Sequence, residues 1–104
     1  MSSAQGPYRL KLAPEALAQA AELKQTNLQK YKKLQKALKH LQQNPAHPGL
    51  HVHKWETLKG RAPDGGDIWT AYVESRTPSA WRIFFYYDST NPQTICVASI
   101  RPHG

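Results

Sequence analysis

Two stretches near the C-terminus constrain this chain more than any other part of it. Trp81-Arg82-Ile83-Phe84-Phe85-Tyr86-Tyr87-Asp88 and Thr94-Ile95-Cys96-Val97-Ala98-Ser99-Ile100 are rich in aromatic and β-branched residues, and Ser89-Thr90-Asn91-Pro92 separates them. That is the pattern of two antiparallel strands joined by a turn. Alternation puts Trp81, Ile83, Phe85 and Tyr87 on one face of the first strand and Arg82, Phe84 and Tyr86 on the other. The first set is the better core. Arg82 then stands mid-strand on the opposite face, with aromatic neighbours. A guanidinium is rarely buried without a partner, so the pattern points to a groove suited to phosphates and unstacked bases. The plain alternative is a strand buried on both sides, with Arg82 paired to Glu74 or Asp67.

Upstream, Tyr8-Arg9-Leu10-Lys11-Leu12 alternates as a half-buried strand does. Pro14 suits a first helical position and Glu15 the positive helix end, so Ala16 to Leu23 is predicted as a short helix. Thr26-Asn27-Leu28-Gln29 has capping-box spacing for a second helix. Leu28, Tyr31, Leu34, Leu38 and Leu41 then form a stripe facing a core, and Asn44-Pro45 ends it. After a His47-Pro48-Gly49 turn, Leu50 to Gly60 reads as a partly extended connector and Arg61 to Gly66 as a loop. Ile68 to Glu74 is a strand, Ser75 to Ser79 a turn, and Ala80 to Asp88 the next strand. The order is β-α-α-β-β-β, with the last three strands an antiparallel meander. The expectation is an α+β fold, a helix hairpin packed on one face of an antiparallel sheet. It forms a single domain of 104 residues whose first six are disordered.

One cysteine excludes an internal disulfide and suits a reducing cytosol. No apolar run approaches a membrane span, and the first residues lack the basic and apolar regions of a signal peptide. These features predict a soluble, cytoplasmic protein. The net charge is +7 and the pI about 9.8, which favours a polyanionic partner such as RNA, DNA or an acidic protein. Lys24, Lys30, Lys32, Lys33, Lys36 and Lys39 lie in a stretch from Lys24 to Gln43 without one acidic residue. Either this is a solvated helix face or something anionic covers it.

The element order, Leu58-Lys59-Gly60 before Ile68-Trp69, the Arg82 strand and the Ile95 to His103 ending together resemble RelE/ParE-superfamily toxins of type II toxin–antitoxin modules. The resemblance runs from about Tyr8 to His103. In active-site pattern it is nearest to YoeB-like ribonucleases. Their Glu-x-Leu-Lys segment is matched by Glu56-Thr57-Leu58-Lys59, their strand arginine by Arg82, and their Arg-x-His ending by Arg101-Pro102-His103. Where those toxins follow the histidine with a catalytic tyrosine, this chain has Gly104.

The resemblance implies an mRNA endoribonuclease, ribosome-dependent and cytoplasmic, neutralised by an acidic cognate antitoxin. The free toxin is then a monomer and the complex a hetero-oligomer. Attack of a 2′-hydroxyl on its own phosphate needs a base, charge stabilisation and an acid. The candidates are Glu56, Arg82 and His103 respectively, with Lys54, Lys59, Arg61, Arg101 and Tyr86 contacting RNA. The scheme calls for no metal and no cofactor. Each candidate also has a plainer reading: Glu56 as a surface carboxylate, His103 as a frayed end. ParE-like members of the same fold poison DNA gyrase without cutting RNA, and a degenerate member would only bind an antitoxin. A different class is a non-catalytic basic RNA-binding module.

His47, His51 and His53 lie close together, with His51 and His53 expected on one strand face, yet no cysteine or carboxylate stands at zinc-ligand spacing beside them. Cys96 reads as a small packed hydrophobe, and Trp55 and Trp69 as core or groove lining.

Overall fold

The computed structural model describes residues 7–55, 62, 66–74 and 80–102. Strand β1 (Arg9–Leu12) leads into helix α1 (Pro14–Thr26), then helix α2 (Leu28–Gln43) and a single 3-10 turn, Pro48–Leu50. Strands β2 (His53–Lys54), β3 (Trp69–Tyr72), β4 (Trp81–Asp88) and β5 (Asn91–Pro102) follow. They form one five-stranded sheet in the order β1-β5-β4-β3-β2. The α+β architecture read from the sequence is the one observed, with both helices packed on one face of the sheet. Two details differ. β1 pairs with β5 in parallel, making the sheet mixed, and a two-residue strand, His53–Lys54, forms inside the expected connector.

α1 is longer at both ends than Ala16 to Leu23, whereas α2 stops at Gln43, just before the expected Asn44-Pro45 stop. α1 keeps Pro14 at its first turn, where a missing N–H does no harm, and buries only Ala16 and Leu23. Small residues on that stripe let it lie close over β5. There Gln19 Oε1 accepts the Ile100 backbone N–H at 2.6 Å, past the last β1 partner on β5, Val97. α2 starts at Asn27 rather than Thr26: the Asn27 carboxamide accepts the Lys30 N–H at 3.1 Å. Thr26 instead ends α1, its hydroxyl donating to the Glu22 carbonyl.

The α2 stripe buries Leu34, Ala37 and Leu41, with Tyr31 and Leu38 partly covered. Leu28 was expected in this stripe, but it is 54 % exposed. It is the first residue of α2, at the hairpin end. Against the helices lie Ile83, Phe85, Ile95, Val97 and Ile100, all fully buried. Five such side chains remove enough apolar surface from water to dominate the stability of a domain this size.

The opposite face of the sheet has a second, smaller cluster. Phe84, Ile68 and Ala62 are buried there, with Trp55 and Tyr86 packed on them. Phe84 and Phe85 therefore belong to different cores, as alternation on β4 requires. The β4–β5 register slips between these two residues, so that Phe84 faces Ser99 and Phe85 faces Val97. The extra residue on β5 keeps Val97 and Ile100 both on the helix side.

Candidate functional site: an arginine pair on the helix-free face

Registers place Tyr72 opposite Arg82 and Arg82 opposite Arg101. Three strands thus bring an aromatic ring and two guanidinium groups side by side on the face without helices. Like charges directly across a ladder are unfavourable, and here each cation is held by a ring from the neighbouring strand. The Arg82 guanidinium carbon lies 4.4 Å from the Tyr72 ring centroid, and Arg82 Nη2 donates to the Tyr72 hydroxyl at 3.1 Å. The Arg101 guanidinium carbon lies 4.5 Å from the Phe84 centroid. Stacking of this kind fixes a guanidinium while leaving its edge donors free for an oxyanion.

Neither carboxylate proposed as a structural partner for Arg82 reaches it. Glu74 is held by Lys30 at 3.4 Å and Lys33 at 3.8 Å, and it accepts the Trp81 N–H at 3.4 Å. Asp67 lies 3.7 Å from Lys54. Among the described residues Arg82 has no anionic partner, and its buried Nε donates to nothing. A buried donor without an acceptor is costly and needs a reason.

Tyr86 lies on the same face, half-buried against Phe84, Ile68 and Ala62. Trp55 meets Phe84 edge-on at 5.2 Å, so a Trp55–Phe84–Arg101 stack lines one side of the site. Lys54 does not join this group. Its register partner is Trp69, on the helix side, and its ammonium is drawn to Asp67. Glu56, Lys59, Arg61 and His103 lie outside the described residues. Their described neighbours do bear on the site: Trp55 and Ala62 pack on Phe84, and Arg101 stacks on it.

Tyr72 was not singled out from the sequence. Its strand was legible, but only pairing sets it across from Arg82. The two imidazoles expected on one strand face divide differently: His53 is in β2, while His51 adopts a left-handed φ of 47°. Their rings still flank Tyr72, at 5.3 and 6.3 Å between centroids, and His53 Nε2 is 3.4 Å from the Thr70 hydroxyl. Among the described residues no group of three or more His, Cys, Asp or Glu side chains could hold a metal ion. Cys96, expected to be packed, is only partly buried and faces Tyr86 across the ladder. No helix among the described residues is long and apolar enough to cross a membrane.

No protein-family profile and no curated protein matches the chain. Solved structures do. A YoeB/ParE toxin from Agrobacterium tumefaciens superposes with a TM-score of 0.68 at 14 % identity, over 92 % of this chain and 99 % of its own. A chain of a YoeB–YefM complex from Staphylococcus aureus gives a TM-score of 0.63 at 20 % identity, over 93 % of this chain and 98 % of its own. A YoeB dimer from the same organism gives 0.61 at 17 % identity, over 95 % and 100 %. Coverage is nearly complete on both sides, so the likeness is one of whole domains: this chain has the fold of the YoeB/ParE toxins, the RelE/ParE architecture that its strand pattern resembles.

Proposed function

We propose that this protein is the toxin of a type II toxin–antitoxin pair and that it cuts mRNA, at the ribosome, without a metal ion. One observation carries the reading: Arg82 and Arg101 stand in register on the open face, each stacked on a ring, with no carboxylate on Arg82 among the described residues. Two pre-positioned guanidinium groups match the charge that develops on a phosphodiester under attack. Glu56, which directly follows the site-lining Trp55, takes the proton of the 2′-hydroxyl. The 2′-oxygen attacks phosphorus, and the 5′-oxygen leaves with a proton from His103. A 2′,3′-cyclic phosphate and a 5′-hydroxyl result. The Arg82 guanidinium holds one phosphoryl oxygen, and Arg101 holds a second. Lys59 and Arg61 contact the strand, and Tyr86 offers a ring edge to a base.

The partner is an acidic antitoxin, in a cytoplasmic hetero-oligomer. The S. aureus structures of a YoeB–YefM complex and of a heterotetrameric YoeB–YefM toxin–antitoxin support that reading.

The test is Arg82→Ala. RNA cleavage should fall by about 10²–10³-fold and toxicity in cells should vanish, with the melting temperature within a few degrees of the parent. Arg82→Lys should restore part of the activity, because a point charge cannot hold two oxygens at once. A folded Arg82→Ala protein that cuts as well as the parent would refute the assignment.

A second reading keeps the toxin and drops the cut, because Gly104 stands where YoeB-like ribonucleases carry a tyrosine. A purified protein that inhibits DNA gyrase and leaves ribosome-bound mRNA intact would establish that one.

A further inference from the structure

A second basic site lies on the other side of Tyr72, between α2 and the 47–50 turn. It is a pocket of about 300 Å³ whose lining includes Lys33, Lys36, His40, His47 and Gly49. Lys33, Lys36 and His40 stand three and four residues apart on α2, so they share one helix stripe. The His40 and His47 rings are stacked, with centroids 4.0 Å apart and planes at 27°. His47 Nδ1 accepts the Gly49 N–H at 3.0 Å, which leaves its Nε2 as the proton-bearing donor. Gly49 makes that fold-back possible: a Cβ there would sit 3.2 Å from His47 Cε1 and 3.3 Å from Nδ1.

The geometry points to an oxyanion site of phosphate chemistry in this pocket, filled by inorganic phosphate or by the backbone of a polynucleotide. Three side chains that carry or can take a positive charge, Lys33, Lys36 and His40, converge on it beside the His47 ring. No carboxylate lines it among the described residues; the nearest link to one is through Lys33, whose ammonium lies 3.8 Å from Glu74. Tyr72, from β3, is the other titratable group on the wall. Empty, the site resists charging. Desolvation, then His47, Lys36 and Lys39, hold the His40 pKa below its usual value. A bound dianion reverses that repulsion and favours the protonated ring. Lysine supplies the point charges and His47 Nε2–H a directed donor. The inference stands apart from the nuclease reading, since neither Arg82 nor Arg101 lines the pocket.

The experiment is a histidine-ring NMR titration of the whole protein against pH. It runs in chloride, in inorganic phosphate at equal ionic strength, and with a short 2′-O-methylated RNA that cannot be cleaved. In phosphate the His40 pKa should rise by about one unit over its chloride value. Lys36→Gln and Gly49→Ala should each abolish most of that rise while the rest of the spectrum stays folded. If inorganic phosphate alone produces the rise, the ligand is the free ion; if the RNA does so too, it is a nucleic-acid backbone. Equal values in chloride, phosphate and RNA would overturn the proposal.

Discussion

The two basic regions of this protein use opposite designs. On the helix-free face, arginines project from paired strands and stack on rings: Arg82 on Tyr72 and Arg101 on Phe84. Along α2, lysines project from a helix on long flexible stems, and two of them converge on Glu74. The arginine pair stands on paired strands and has no carboxylate among the described residues, whereas the lysine face is partly neutralised by Glu74, just past the end of β3. The difference teaches that net charge locates neither region's task. Position on a rigid element, and the absence of a counter-charge among the described residues, single out the arginines.

The sharpest way to break this contrast is to damage each side of β4 separately. Phe85→Ala empties a fully buried site under the helices and should cost about 3–5 kcal/mol of stability, read from chemical denaturation. Phe84→Ala removes the Arg101 platform on the other face. It should spare more stability and lose more cleavage. If the two variants lose stability and activity in the same ratio, the faces are not functionally distinct.

Arg101→Ala comes next. It is exposed at the strand end, so it should weaken RNA binding and cut cleavage by roughly 10-fold, less than Arg82→Ala. The salt slope of RNA affinity should fall by about one phosphate contact. An unchanged slope would remove Arg101 from the site.

The smallest effect is expected at Glu74→Gln. Its partner Lys30 also lies 5.6 Å from the Trp81 ring centroid and keeps that contact. The variant should therefore lose less than about 1 kcal/mol, while binding polyanions more tightly at low salt. A large loss of stability would mean that Glu74 holds the α2–sheet packing together rather than trimming the charge.

Acid pH adds a check on the helix region. The folded state disfavours protonated His40, so the unfolded chain binds more protons near neutrality. Stability at this site is then lost as pH falls through about 6.5.

Much of this was legible in the residues alone. Alternation in Trp81–Asp88 assigned Phe85 and Ile83 to the main core and placed Arg82 with Phe84 on the other face. The apolar stripe of α2 and the Asn44-Pro45 stop marked the helix hairpin. These signals are local: the period of a strand or helix is written into consecutive side chains. Tertiary structure decided which strands meet. That Tyr72 lies under Arg82, that Arg82 faces Arg101, that β1 runs parallel to β5, and that Glu74 answers Lys30 and Lys33 all depend on register between distant segments. Register comes from burying the whole sheet face at once, because a shift of one residue would turn every side chain to the wrong side. The same holds for His40 and His47, which stack only because the chain turns back after α2, where the His47 N–H donates to the Asn44 carbonyl. The sequence by itself determined which residue types each element presents; the fold decided which of them stand close enough to act together.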